Sequence, residues 1–224
     1  QTQVELVFAE EDAEGIKNVQ VKAPKEVVVE EQRTVELESS KERKDYYVYS
    51  AGRILLSTPS VTDAILCADE NAGVVIDGKQ KYIWRRGRKP SQPMIGPGVL
   101  EGQELSENSV VRCLSYLLQE EESSIDVEDL IAKGETPRQI LTEALMGCDV
   151  VDLSGCSVSQ VLYYVNLGNP VLAMLNDEAV LIVGYDEHNT ILYQPAENTA
   201  KKMGLQDSDT FFSGAGNVFL GYIK

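Results

Sequence analysis

Hydrophobic and polar residues alternate in short runs over the first part of the chain. Four of these runs have the β-branched content and the two-residue period of strands with one solvent-exposed face. They are VELVF (4–8), NVQVK (18–22), EVVVE (26–30) and TVELE (34–38). A charged run, SSKERKD (39–45), ends the pattern. Residues 1–44 are therefore predicted to form a β-rich N-terminal segment.

Residues 45–98 have the pattern of a small ββαββ module. The strand runs YYVYS and RILLST precede a helical run, and GVVID and QKYIW follow it with a turn at Asp77 and Gly78. Ser60, with an Asp three residues later, predicts the helix start. The residues that share its apolar face are Val61, Ala64, Ile65 and Ala68. The Pro/Gly-rich run KPSQPMIGPG (89–98) is predicted to be a linker.

Residues 99–224 have helical periodicity first and strand runs afterwards. A predicted helix over about 107–119 has one apolar stripe, which consists of Val110, Cys113, Leu114, Leu117 and Leu118. Further helices are predicted near 128–134, 136–145 and 157–168. The strand runs are VVDL, PVLAML, AVLIVGYD, TILYQP and NVFLGYIK. This order predicts an α+β domain in which helices pack on an antiparallel sheet.

Composition narrows the classes of function. The chain has 224 residues, 43% of them hydrophobic, with a net charge of −16. Such a charge repels phosphate backbones and anionic lipids, so we expect no general nucleic-acid binding. The longest uncharged stretch, 153–176, contains the breaker Gly-Asn-Pro, and we therefore expect no membrane insertion.

Cysteine and histidine are too sparse for the usual metal sites. His188 is the only histidine, and the four cysteines have no metal-ligand spacing. We therefore predict no bound metal and no cofactor. Cys148 and Cys156 are eight residues apart. They either form a disulfide in an oxidising compartment or are buried free thiols.

One stretch has a recognisable pattern. The run GNPVLAMLNDEAVLIVGYDEHNTILYQP (168–195), followed by DSDTFFSGAG and a final strand, resembles the C-terminal half of the papain-like cysteine peptidases of the bacteriocin-processing, double-glycine type. The resemblance covers the last half of the chain and is most specific over VLIVGYDEHNTILYQP. It implies a papain-like peptidase fold for residues 99–224, in a bacterial protein that is secreted or at the cell surface.

The catalytic residues of that family do not carry over to this chain. The family chemistry needs a thiol at the start of the first helix, an imidazole on the facing strand and a group that orients the imidazole. The matching positions hold Leu105, Ser106 or Glu107 for the thiol, Glu178 or Ala179 for the imidazole, and Gln194 for the carboxylate. The resemblance therefore implies a catalytically degenerate domain that binds a peptide or protein partner, as a binding or scaffolding module.

An active cysteine hydrolase is the alternative. It would use Cys113 as nucleophile with His188 as a rearranged base. Cys113 lies on the apolar stripe of its helix, which is typical of a core cysteine. His188 lies in the run DEHN between two strand runs, which is typical of an exposed turn.

A basic cluster interrupts the acidic chain at WRRGRK (84–89). Trp84 beside Arg85, Arg86 and Arg88 has the composition of a site that grips a polyanion, such as a cell-wall polymer. The other interpretation is that these arginines form local salt bridges with acidic strands.

Overall fold

The computed structural model describes residues 6–7, 20–21, 45–96, 100, 106–120 and 125–224. The chain divides into two compact units, Gln1–Arg43 and Lys44–Lys224. In the first unit, strand β1 (Leu6–Val7) pairs antiparallel with β2 (Gln20–Val21). The strands predicted at 26–30 and 34–38 lie outside the described residues.

The second unit begins with the ββαββ arrangement that the sequence predicts. Its elements are β3 (Tyr46–Ser50), β4 (Arg53–Thr58), α1 (Val61–Glu70), β5 (Val74–Asp77) and β6 (Tyr82–Arg85). The four strands form an antiparallel sheet in the order β4-β3-β5-β6. The Ser60 side chain accepts a hydrogen bond from the Asp63 backbone N–H at 3.1 Å, as the capping pattern predicts.

The remaining helices and strands form a larger antiparallel α+β arrangement. The helices are α2 (Ser109–Glu120), α3 (Val127–Ala132), α4 (Pro137–Ala144), α5 (Val158–Asn166) and α6 (Leu205–Gly214). The strands are β7 (Asp149–Asp152), β8 (Val171–Leu175), β9 (Glu178–Tyr185), β10 (Asn189–Gln194), β11 (Thr199–Gly204) and β12 (Val218–Ile223). They form one sheet in the order β11-β10-β9-β8-β12-β7. The predicted α+β class, with helices packed on an antiparallel sheet, is confirmed.

Both faces of this six-stranded sheet are buried. On one face, Val180 and Ile182 of β9 join a core that includes α5. On the other face, Leu181 and Val183 join a core that includes α2 and α4. This explains why the β9 sequence is apolar at almost every position.

The predicted boundary at residues 98 and 99 does not separate two packed units. Residues of the ββαββ module and of α5 belong to one hydrophobic core. The indole Nε1 of Trp84 donates a hydrogen bond to the Gln160 carbonyl at 3.0 Å, which ties β6 to α5. The module has too few residues to bury its helix and sheet alone, so it completes its core against the second half of the chain.

The Pro/Gly-rich segment is held against the sheet in its described part. Gln92 exchanges two backbone hydrogen bonds with Tyr185, and the Ile95 N–H donates to the Val183 carbonyl at 2.8 Å. A Cβ atom at Gly184 would lie 2.8 Å from the Gln92 carbonyl oxygen, so this close approach requires glycine. The described part of the segment predicted as a linker therefore pairs with β9 through backbone hydrogen bonds.

Candidate functional site

A cleft of roughly 500 Å³ opens where three parts of the second unit meet. They are the start of α2, the start of β9 and the residues that follow β10. The residues that line it at these places include Glu107, Asn108, Ser109, Glu178, Ala179 and Gln194. The structure therefore brings together Glu107, Glu178 and Gln194, which the sequence placed at vacant catalytic positions.

Asn108 begins the helix at this cleft. Its Oδ1 accepts hydrogen bonds from the backbone N–H groups of Val110 at 2.9 Å and Val111 at 3.3 Å. This is the geometry of an N-cap, and it satisfies two N–H groups that otherwise have no partner in the helix. The sequence analysis missed Asn108, although its residue type before an apolar helical run is the usual capping signal.

Ser106, a candidate for the vacant thiol position, lies before the helix and outside the described cleft lining. Its hydroxyl donates to Glu128 Oε1 at 3.0 Å and accepts from the Asn108 N–H at 3.3 Å. The helix begins at Ser109, and Ser106 is not among the described residues that line the cleft. Leu105 lies outside the described residues.

Ser109 joins the helix to the facing strand. Its hydroxyl accepts a hydrogen bond from the Ala179 backbone N–H at 2.9 Å. Ala179 is buried, whereas the neighbouring Glu178 is exposed. The two sides of the cleft are therefore held at a fixed separation, with a carboxylate at the strand end.

The side chains of the cleft are unevenly charged. Glu107, Asp177 and Glu178 are exposed carboxylates that line it, and Arg112 is the one described cation in its lining. The Arg112 guanidinium donates to the carbonyls of Ser106 and Pro195, so it bridges the loop before α2 and the residues after β10. The cleft therefore has a net negative charge.

An apolar surface lies beside these charges. Phe211 of α6 lines the cleft and is 41% exposed, while its neighbour Phe212 is buried in the core. Leu175 and Val180 also line the cleft. None of the three was predicted as a site residue. For Phe211 the reason is that α6 has no strong apolar period that would show which of its side chains is outside the core.

Cys113 and His188 are in environments unsuited to a catalytic pair. Cys113 has no exposed surface, and burial raises the pKa of its thiol far above the usual range. His188 is exposed in the turn between β9 and β10, where its backbone N–H donates to Asp186 Oδ1 at 3.0 Å. Cys113 is enclosed in the core that includes α2 and α4, whereas His188 is exposed to solvent.

The described cysteines and acidic residues were next compared with the geometry of metal sites. Among the described residues, no group of three or more His, Cys, Asp or Glu side chains is placed to hold a metal ion. Cys148 and Cys156 are not disulfide-bonded to each other in the structure. Burial raises the pKa of the Cys156 thiol to about 11.

In the part of the chain that is described, no helix has the length and apolar content to cross a membrane.

Comparison with known proteins gives one structural likeness. No family model matches the chain, and no curated protein matches it. The chain is similar in structure to a candidate C39-like peptidase from Bacillus anthracis. The match has a TM-score of 0.48 at 17% sequence identity, and it covers 58% of this chain and 97% of that one.

The residues of the basic cluster WRRGRK (84–89) have three different environments. Trp84 is 2% exposed and serves the core. Arg86 forms a salt bridge with Asp69 at 2.7 Å. The guanidinium groups of Arg85 and Arg88 lie over the rings of Tyr82 and Tyr185.

Proposed function

We propose that this chain is a non-catalytic peptide-binding module built on a papain-like peptidase scaffold. The observation that carries the proposal is the content of the cleft. Its described lining contains no thiol and no imidazole, and an amide side chain, Asn108, caps the helix there. Neither Asn108 nor Gln194 supplies a thiolate or an imidazole base, so the described lining lacks the thiol and imidazole pair that the family chemistry uses.

The chemistry of the cleft favours a peptide that has a cationic group next to an apolar one. Glu107, Asp177 and Glu178 offer carboxylates for a lysine, an arginine or a free amino terminus. Phe211 offers exposed aromatic surface for an apolar side chain. Arg112 already donates to two backbone carbonyls, so its charge is turned toward the scaffold.

The alternative, hydrolysis by Cys113 with His188, has less support. A nucleophilic cysteine needs a lowered pKa and access to substrate. Cys113 is fully buried, and its pKa is raised by burial. Reaching substrate would require α2 to leave the core that its apolar stripe forms.

Placement outside the cell or at its surface is part of the proposal. It is supported by the resemblance to bacterial bacteriocin-processing peptidases and by the acidic composition, with its net charge of −16. Digestion of the protein by a protease added to intact producing cells would support this placement. Protection until the cells are lysed would contradict it.

Peptide binding is testable with two matched probes. The probes are fluorescein-labelled peptides of sequence Gly-Leu-Lys-Leu-Gly-Gly and Gly-Leu-Glu-Leu-Gly-Gly, measured by fluorescence anisotropy. We expect the lysine peptide to bind more tightly, because the cleft carboxylates attract it and repel the glutamate. The triple variant Glu107→Gln, Asp177→Asn, Glu178→Gln should weaken lysine-peptide binding about tenfold, since each exposed pair contributes up to about 1 kcal/mol.

A variant of equal charge separates the cleft from the whole-molecule field. Glu70, Glu143 and Glu187 are exposed glutamates that do not line the cleft. Their triple change to Gln alters the net charge as much as the cleft triple does, and it should leave lysine-peptide binding within about twofold. Equal loss in both variants, or cleavage of either peptide by the pure protein, would overturn the proposal.

A further inference from the structure

A second pocket, of roughly 370 Å³, lies where the end of β6 meets the first turn of α5. Its lining includes Arg85, Arg86 and Arg88 from one segment, together with Asp69 and Ser159. We call it the basic pocket. It shares no lining residue with the cleft described above.

The floor of the basic pocket is fixed by hydrogen bonds. Trp84 donates to the Gln160 carbonyl, and the Gln160 side chain donates through Nε2 to Asp69 Oδ2 at 2.9 Å. The other oxygen, Asp69 Oδ1, accepts from Arg86 Nε at 2.7 Å. The Asp69 carboxylate is therefore engaged at both oxygens and is neutralised by Arg86.

Two cations remain without a carboxylate. Among the described residues, neither Arg85 nor Arg88 forms a salt bridge. The guanidinium carbon of Arg88 lies 5.2 Å from the centre of the Tyr185 ring, and that of Arg85 lies 5.9 Å from the Tyr82 ring. These ring contacts hold the cations in place while leaving their N–H donors available.

The charge of the whole chain makes this arrangement selective. In a protein of net charge −16, two exposed arginines without a salt bridge line this one pocket. The surrounding acidic field opposes loose adsorption of polyanions, so an anion must gain directed contacts to stay. The first turn of α5 borders the same pocket, but its Val158 N–H already donates to Asp209 Oδ1 at 3.3 Å. The directed contacts to an anion must therefore come mainly from the arginines.

We propose that the basic pocket binds a phosphate group of a ligand, with Arg85 and Arg88 as its charged donors. The planar guanidinium fork matches phosphate oxygens and makes two parallel hydrogen bonds to them. The group can belong to a small phosphate ester or to a repeating phosphodiester polymer of a cell wall. Both present the same oxyanion to the pocket.

The chain contains its own reporter for this test. Trp84 is the only tryptophan, and it forms the floor of the basic pocket. Pyrophosphate is titrated into the intact protein while Trp84 fluorescence and heat of binding are recorded. We expect saturable binding in the micromolar to millimolar range, and about tenfold weaker binding in Arg85→Ala and in Arg88→Ala.

The control variants are Arg53→Ala and Arg138→Ala, which remove exposed arginines outside the pocket lining. They should bind pyrophosphate as the unaltered protein does, and thermal unfolding should show all four variants folded. No saturable binding up to about 10 mM pyrophosphate would overturn the proposal. So would an equal loss in the control variants.

A polymer probe distinguishes the two sources of phosphate. Medium-chain polyphosphate that binds more tightly per phosphate than pyrophosphate would identify a polymeric ligand that spans the pocket and its surroundings. Equal affinity per phosphate would identify a single phosphate group as the ligand. In either case the response must be lost in the double variant Arg85→Ala, Arg88→Ala, and a retained response would contradict the assignment.

Discussion

The cleft and the basic pocket are two concave sites of opposite charge in the same compact unit. The cleft has three exposed carboxylates and one arginine that is already bound to backbone carbonyls. The basic pocket has three arginines and one aspartate that is already paired. In each site the minority charge is bound internally. Among the described residues, the three cleft carboxylates and two of the three arginines form no salt bridge.

The aromatic residues of the two sites differ in the same way. Phe211 is 41% exposed in the cleft, whereas Trp84 is 2% exposed beneath the basic pocket. Both residues would look like ligand contacts from composition alone. The comparison teaches that what a side chain already contacts, more than its type, separates ligand-facing residues from structural ones.

The largest expected effect is on the reaction rate of the Cys113 thiol. Cys113 in the native protein should react with iodoacetamide at least about a hundredfold more slowly than the same thiol in the unfolded chain. The reason is its complete burial and raised pKa. Labelled sites are mapped by mass spectrometry before and after unfolding.

Cys67 is the internal control for that experiment, since it is partly exposed on α1 and is labelled in the same sample. Rapid native labelling of Cys113 would contradict its burial and the proposal of a non-catalytic cleft. Labelling of Cys113 only after unfolding would support the interpretation of the cleft and the basic pocket as two binding sites.

The next largest effect is the difference between Trp84 and Phe211 in their contribution to the free energy of unfolding. Trp84→Ala should lower the free energy of unfolding by about 3–5 kcal/mol, because it removes a large buried side chain and a buried hydrogen bond. Phe211→Ala, at a 41% exposed position beside the Phe212 ring, should lower it by about 1 kcal/mol or less. Urea unfolding followed by circular dichroism measures both, and similar losses would show that Phe211 is also structural.

The smallest effect concerns the internal ion pair of the basic pocket. Arg86 is 63% exposed and Asp69 is 27% exposed, so the pair should contribute at most about 1 kcal/mol. Asp69→Asn should therefore change stability little, and it should strengthen pyrophosphate binding severalfold because it releases Arg86. Weaker pyrophosphate binding in Asp69→Asn would show that Asp69 positions the arginines.

Much of the fold follows from local sequence signals. The helix after Ser60 has a clear cap and an apolar stripe, and the strand VLIVGYD is a nearly continuous apolar run. The structure has both. Strand β11 and helix α6 were not predicted. In β11 the run AKK gives no alternation, and in α6 only Ser208 and Phe212 are buried.

Less of the candidate site could be predicted, because it depends on contacts between distant residues. The family resemblance singled out Glu178 and Gln194, and in the structure both residues line the cleft. Arg112 is one residue from a buried cysteine and gives no local signal of its contact with the Pro195 carbonyl. The union of the ββαββ module with α5 was missed for the same reason, since Trp84 and Gln160 are far apart in the sequence.

The contact between Trp84 and Gln160 also has a consequence for synthesis of the chain. The Gln160 carbonyl is made 160 − 84 = 76 residues after Trp84. At the usual elongation rates the indole waits roughly 4 to 15 seconds for its partner. During that time the apolar surface of the ββαββ module is exposed as it leaves the ribosome. We therefore expect the nascent chain to bind chaperones that recognise exposed apolar segments until α5 is complete.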